Sequence, residues 1–448
     1  MTANRIPSLF RLAASLALAL SLTACAGGLF GGGKKSTPTL GDRVPILSRI
    51  ESGAKVDPAL AGVAVALPAA QVNAEWAQTG GSASKAAGHF ALGATPQRIW
   101  SAQVAGSTQR VRLASAPVVG DGRLYAVGSD GAITAFEAGT GARVWVHTAD
   151  VASDLRGVVF GGGVSFAGGK VYATNGAGEV MALDAATGAL IWKVKPAGPL
   201  RGAPTIDFGS AYVMTQNNQI IALEAATGKL QWQESASSTD SGVFGVAAPA
   251  AGQGTVIAGF SSGELVAYRY ENGRSLWADA LARTNISTQV GSLNDIDADP
   301  IIDSGRVYAL GQGGRMAAYE LVTGQRIWEL NLAGISTPAL AGDWIFTLTD
   351  DARLLAIARA SGKVRWISQL PRFRNEEKKT GPIFWQGPVL AGDTLWVVNS
   401  RGELWRVNPA EGEASLFTAL KQPISLAPVV ANQTLYILDD SGRISAFR

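Results

Sequence analysis

Residues 116–145 read APVVGDGRLYAVGSDGAITAFEAGTGARVW. A short apolar run opens at Ala116-Pro117 and stops at the turn signal Asp121-Gly122. Leu124 to Val127 is a second apolar run, closed by Ser129-Asp130-Gly131. Ala132 to Phe136 is a third, and Thr140-Gly141 leads into a fourth that ends at Trp145. Asp-Gly and Thr-Gly supply the positive backbone angles that tight hairpin turns require. The stretch therefore predicts four short strands joined by three tight turns.

The same sentence recurs along the chain. Its closing Thr-Gly-x-x-x-Trp stands at Thr187-Gly188 to Trp192, Thr227-Gly228 to Trp232 and Thr323-Gly324 to Trp328. Variants run from Asn272-Gly273 to Trp277 and from Ser361-Gly362 to Trp366, and a degenerate copy from Gly412 to Phe417. The opening proline recurs at Pro204, Pro249, Pro300, Pro338, Pro388 and Pro428; the second unit has Val164-Ser165-Phe166 in its place. From Trp100 through Trp145, Trp192, Trp232, Trp277 and Trp328 to Trp366 the intervals are 45, 47, 40, 45, 51 and 38 residues. Four strands every 40 to 50 residues or so is the mark of a β-propeller blade. Seven units fit between Ala116 and Phe417. An eighth, Pro428 to Phe447, has three strands, and Pro96 to Trp100 supplies the missing outer one. The expected fold is all-β: an eight-bladed propeller of four-stranded antiparallel blades over residues 94–448, its last blade closed by an N-terminal strand. Seven blades is the alternative count.

Composition agrees. Glycine contributes 54 of 448 residues and charged residues 16%, against roughly 25% charged in an average soluble protein. A disordered, charge-rich chain is excluded, and the glycines have no collagen-like period. The formal net charge is +3, from 38 basic and 35 acidic residues. No basic run exceeds Lys34-Lys35 or Lys378-Lys379, so no nucleic-acid footprint is present. One cysteine and two histidines, His89 and His147, leave little material for a zinc site or a histidine-based triad.

The N-terminus reads as an export signal over residues 1–24. Arg5 and Arg11 precede an apolar run from Leu12 to Leu22 that is too short to span a bilayer. Leu22-Thr23-Ala24-Cys25 resembles a bacterial lipobox. The resemblance implies cleavage before Cys25 and its acylation, and Ala26 after it implies sorting to the outer membrane. Several acyl chains anchor stably where one is marginal. The competing reading is an ordinary secretory signal with an incidental cysteine. Residues 25–93 read as a lipidated tether and irregular leader lying across the folded body, with Asn73 to Trp76 as a packed anchor within it.

Ala182-x-Asp184-x-x-Thr187-Gly188-x-x-x-Trp192 is similar to the tryptophan-docking motif of pyrroloquinoline-quinone (PQQ) dehydrogenase propellers, in which the tryptophan wedges between blades. A lipobox, a short leader and eight such blades together resemble the BamB family of the outer-membrane β-barrel assembly machinery. That resemblance covers nearly the whole mature chain. It implies a non-catalytic, lipid-anchored scaffold on the periplasmic face of the outer membrane, without cofactor or metal, binding the periplasmic domains of a BamA-like barrel component. The alternatives are a periplasmic PQQ-dependent dehydrogenase, or a propeller that binds another envelope partner. An adjacent Cys-Cys pair, which such dehydrogenases commonly use, is absent from this sequence.

Three connectors between units are long: those before Pro249, Pro300 and Pro388. Antiparallel blades put all three on one face, where binding usually lives. Asp295 and Asp297 in the second match the spacing of the family's acidic partner-contact loop. Alternate residues of an extended chain point the same way, so both could grip one partner. Solvated acids or a calcium loop are the competing readings, the latter without the usual glycine and glutamate. The first connector carries Val243 and Phe244 where the family has Leu-x-Leu-Arg, so contact there is apolar; Phe244 could equally be buried between blades. The third holds Arg372 and Phe373, a combination enriched at binding hot spots, beside a charged run that could simply be solvated.

Overall fold

A computed structural model describes residues 53–148, 150, 157–238, 247–281 and 295–448, with the side chain of Arg201 left aside. These residues form eight four-stranded antiparallel sheets and one two-stranded hairpin. Blade 1 is built from Val118–Gly120, Arg123–Val127, Ile133–Glu137 and Arg143–His147, in that order from the inside out. Its first turn has positive φ at Asp121 (50°) and Gly122 (72°), the geometry a two-residue hairpin demands. Blades 2 to 7 repeat the pattern, and their innermost strands begin at Val164, Leu200, Ala250, Ile301, Ala339 and Trp385. Blade 8 takes Val429–Ala431, Thr434–Leu438 and Arg443–Phe447 from the end of the chain. Its outer strand is Arg98–Gln103, which pairs with Arg443–Phe447 so that Trp100 faces Ala446. The expected eight blades and their N-terminal closure are observed.

Burial follows position in the blade. Second and third strands are apolar on both faces, because each blade is sandwiched between two others. Outer strands bury one residue and expose its neighbours: in Leu190–Val194 only Trp192 is buried.

The tryptophans join the blades. The indole Nε1 of Trp192 donates to the Ala225 carbonyl of blade 3 at 3.1 Å. Its ring lies on Gly228, which has a φ of 75°; a Cβ there would sit 2.7 Å from Cε3 of the ring. Trp145 makes the same pair of contacts with Ala185 and Gly188, and Trp366 with Pro409 and Gly412. The Thr-Gly turn is thus a socket: only glycine takes the left-handed conformation cheaply and leaves room for the ring.

The joint between blades 7 and 8 differs. Phe417 takes the tryptophan position, and its ring packs edge-on against Trp396 of its own blade, 5.1 Å between centroids. Where the other blades have a Thr-Gly turn, blade 8 has a seam, at which Gln97 and Arg448 exchange backbone hydrogen bonds of 2.7 and 2.9 Å.

Residues 53–93 run over one face of the ring and touch every blade. Asp57 N–H donates to Val364 O of blade 6 (2.8 Å), and Val65 and Leu67 pack on the core of blades 6 and 7. Asn73 O accepts from Asn432 N–H of blade 8 (2.6 Å). Trp76 exchanges two backbone hydrogen bonds with Val119 of blade 1, and Ala77 O accepts from Phe166 N–H of blade 2. The Gln78 amide holds both backbone groups of Ile206 in blade 3. Ala83 and Ser84 carbonyls accept from Ala251 and Ile302 of blades 4 and 5, and Phe90 bonds Leu390 and Gly392 of blade 7. Apart from Val364, which opens the outer strand of blade 6, these partners lie at or beside the far ends of the innermost strands, whose inner edges have no strand to pair with. The leader satisfies edge groups that a buried backbone cannot leave open.

Trp192→Ala should lower stability by about 3–5 kcal/mol, since it empties a buried aromatic site. Gly228→Ala should lower it by about 1–3 kcal/mol through backbone strain and the displaced ring. Urea midpoints measured on both variants check this; a midpoint for Gly228→Ala equal to that of the native chain would contradict the socket.

Candidate functional site

The leader turns the central channel into a blind funnel. Its mouth is on the opposite face, where the connectors enter the innermost strands. The walls are the small residues and prolines that open those strands, among them Ala116, Pro117, Pro338 and Pro428. Trp76, Thr79, Gly80 and Lys85 form the floor, and the cavity measures about 180 Å³. Small side chains are required there, because eight strand ends converge on one axis.

Lys85 is completely buried. Its Nζ donates to Thr79 Oγ1 and to Thr205 Oγ1, both at 3.0 Å, and Thr205 in turn donates to Pro249 O at 2.6 Å. The ammonium therefore ties the leader to blade 3 and, through Thr205, to the start of blade 4. Burial pulls its pKa down from 10.5 to about 8, against the opposing pull of Asp299. Asp299 shifts upward, chiefly by burial and despite Lys85; its Oδ1 accepts from Ala248 N–H at 2.7 Å. His89 locks the leader at blade 7: Nδ1 bonds the Pro68 carbonyl (2.8 Å) and Nε2 the Asp393 N–H (3.0 Å). That pairing makes Nδ1 the donor and Nε2 the acceptor of a neutral ring. Sequence reading singled out neither Lys85 nor His89 for this work. A lone lysine in a Ser/Ala/Gly-rich leader carries no local signal of burial.

Asp295 and Asp297 are 0% and 7% exposed. The expectation that they project together from the connector is corrected. The segment packs inward because Ile296 fits against Gly259, where a Cβ would lie 2.4 Å from it. Asp297 turns to the funnel wall with Asp299.

The connector before Pro388 holds a hairpin, Phe373–Asn375 with Thr380–Pro382, where the sequence suggested only a loop. Glu376 Oε1 accepts from the N–H groups of Arg372 (2.7 Å) and Phe373 (3.0 Å), which holds its pKa down. Arg372 is exposed and lies over the half-buried Phe373 ring, 5.5 Å from its centroid. Both lie at the connector face, and Phe384 in the same connector is 65% exposed. Val243, Phe244 and Cys25 lie outside the described residues.

Lys85→Met should cost about 3 kcal/mol at pH 7, because Asp299 loses its buried counter-charge, and adding Asp299→Asn should recover most of that. The pH dependence has a definite sign. Below pH 8 the amine is protonated in folded and unfolded chains alike, and the cost of burying it is felt in full. From about pH 8 toward 10.5 the folded chain gives up the proton first, so stability rises with pH. Thermal unfolding between pH 8 and 9.5 should show this rise in the native chain relative to Lys85→Met; parallel curves would remove Lys85 from the floor.

Comparison with known proteins reports three kinds of likeness. The family model described as outer membrane protein assembly factor BamB matches residues 82–159 and 130–368. The outer membrane protein assembly factor BamB of Salmonella typhimurium strain LT2 is 28% identical over 359 residues, 79% of this chain and 88% of that protein. Several other curated relatives of the same description are matched over only about half their length. Among solved structures, BamB from Moraxella catarrhalis superposes with a TM-score of 0.66 at 21% identity, covering 79% of this chain and 99% of that one. The quinohemoprotein alcohol dehydrogenase of Comamonas testosteroni gives 0.65 at 15%, covering 84% and 80%. The structural likenesses establish the propeller and do not separate a scaffold from an enzyme. The family model does discriminate, and it spans well over half the sequence: the chain belongs to the BamB family of outer membrane protein assembly factors.

Proposed function

We propose that this protein is a non-catalytic scaffold of outer-membrane β-barrel assembly, held by lipid at Cys25 on the periplasmic face and binding the periplasmic domains of a BamA-like barrel component. Family membership over residues 82–368 is the observation that carries this reading. The geometry supports it. The leader occupies one face of the propeller, and the strand ends between which the long connectors run lie on the other. There the preformed hairpin offers Arg372 and Phe373, and the connector containing Val243 and Phe244 leaves from the same face. Asp295 and Asp297 contribute from beneath, by shaping the segment that leads into blade 5.

Affinity purification of the tagged, full-length protein from detergent-solubilised envelopes tests the role. A β-barrel assembly protein should follow it in near-stoichiometric amount; its absence from a preparation with Cys25 shown to be acylated would overturn the assignment. Arg372→Glu with Phe373→Ala should reduce that recovery several-fold at an unchanged melting temperature. Asp295→Asn with Asp297→Asn should reduce it only together with a lower melting temperature, since both carboxylates are buried. A quinone-dependent dehydrogenase shares the fold; PQQ with calcium should give neither thermal stabilisation nor dye reduction.

A further inference from the structure

The seam between blades 7 and 8 leaves a groove of about 680 Å³. It exists because this joint has neither the docking tryptophan nor the Thr-Gly socket, so the space between the two blades stays open. Phe417 and Phe447 line it. Three cations border it: Lys421 and Arg443 at the connector end, and Arg98 at the other. Arg98 pairs with Phe447, four residues along the strand from Arg443, so the charged ends stand roughly 14 Å apart. Lys421 also borders an adjoining hollow of about 320 Å³, where Arg374 of the hairpin and Arg401 converge.

No carboxylate lines either hollow. In a chain with 38 basic and 35 acidic residues that segregation is local. The funnel mixes Lys85 with Asp297 and Asp299, and the hollow beside Arg406 includes Asp393 and Glu413. Two acids close in sequence to these cations are already engaged. Glu403 pairs with Arg401 at 3.2 Å. Asp439 is buried and accepts from the N–H groups of Ser441 and Arg443. Among the described residues, Arg98, Arg374, Lys421 and Arg443 form no ion pair.

We propose that this seam is a docking groove for an extended, acidic segment of a partner protein. The occupant follows from the shape and the charge. A groove about one blade high, with cations at both ends, matches carboxylates spread along a strand-like segment of roughly five residues. The two phenylalanines match apolar side chains between them. A flat lipid surface meets only one end of such a groove. The inference goes beyond the scaffold reading and does not depend on which barrel component that scaffold holds.

The probe is a fluorescein-labelled ten-residue peptide alternating Asp or Glu with Phe or Val, titrated against the purified full-length protein by fluorescence polarisation. Binding should saturate and weaken with added salt. Lys421→Glu with Arg443→Glu should weaken it about tenfold, whereas Arg274→Glu on blade 4, equally exposed, should leave it unchanged. Ala419→Trp, which fills the groove without altering charge, should weaken it as well. Equal losses with Arg274→Glu, or full binding by Ala419→Trp, would reduce the groove to general electrostatics and overturn the proposal. So would a charge reversal that abolishes binding to phosphatidylglycerol vesicles while leaving the peptide bound. Circular dichroism confirms that each variant is folded.

Discussion

The whole ring depends on one repeated contact, an indole laid on a glycine that has positive φ. The contact does two things at once. The ring fills the wedge between neighbouring blades, and Nε1 satisfies a backbone carbonyl that a turn would otherwise leave half-buried, as Trp192 does for Ala225. Both need the same glycine, since a Cβ at Gly228 would stand only 2.7 Å from Cε3 of the ring. Turn chemistry and blade packing are therefore a single constraint, and this is why they recur as a single motif.

A ring of such joints still has two weak places, its axis and its seam. At the axis the innermost strands present unpaired edges toward each other. The leader covers them, crossing all eight blades and fixing itself with Trp76, Gln78, Lys85 and His89. A fully buried ammonium is costly in isolation. Here it is held by two threonine hydroxyls and faced by Asp299, so its cost is offset by registering the leader against the blades. At the seam the chain solves closure differently. Arg98–Gln103 completes blade 8 by pairing with Arg443–Phe447, while at the joint with blade 7 Phe417 packs on Trp396 of its own blade, and the space the tryptophan would have filled becomes surface.

The fold was legible because the signal repeats. Asp-Gly and Thr-Gly turns, the opening prolines and the tryptophan period each test the others, and the degenerate unit at Gly412 to Phe417 could be placed by its neighbours. Trp100 announced the borrowed outer strand for the same reason. The site was less legible because its residues act once. Alternation made Asp295 and Asp297 look like a paired grip, but alternation does not say whether the pair faces solvent or protein. Ile296 instead turns inward onto Gly259 and takes both acids with it. Lys85 had the opposite problem: a charged residue amid serine, alanine and glycine reads as solvent-exposed, and only the convergence of leader and blades buries it. Arg372 and Phe373 stand where their connector suggested, although Glu376 folds that connector into a hairpin by capping its N–H groups.

The leader also assigns the faces. Asp57 and Lys363 form an ion pair of 2.9 Å at the last turn of blade 6, on the side that the leader closes, so the described chain begins there. Traffic through the axis is blocked, and that face is already covered. The hairpin, the upper end of the seam and the starts of the innermost strands all lie opposite. The same propeller fold is found in dehydrogenases, so the fold alone does not decide the function. In this chain the funnel is about 180 Å³, lined mostly by small residues and prolines, with Lys85, Asp297, Asp299 and Gln386 among them. The exposed Arg372 and Phe384 lie around it, on a connector that the rigid blades hold in place. A scaffold needs that division: a core that repeats, and a periphery in which each loop is different.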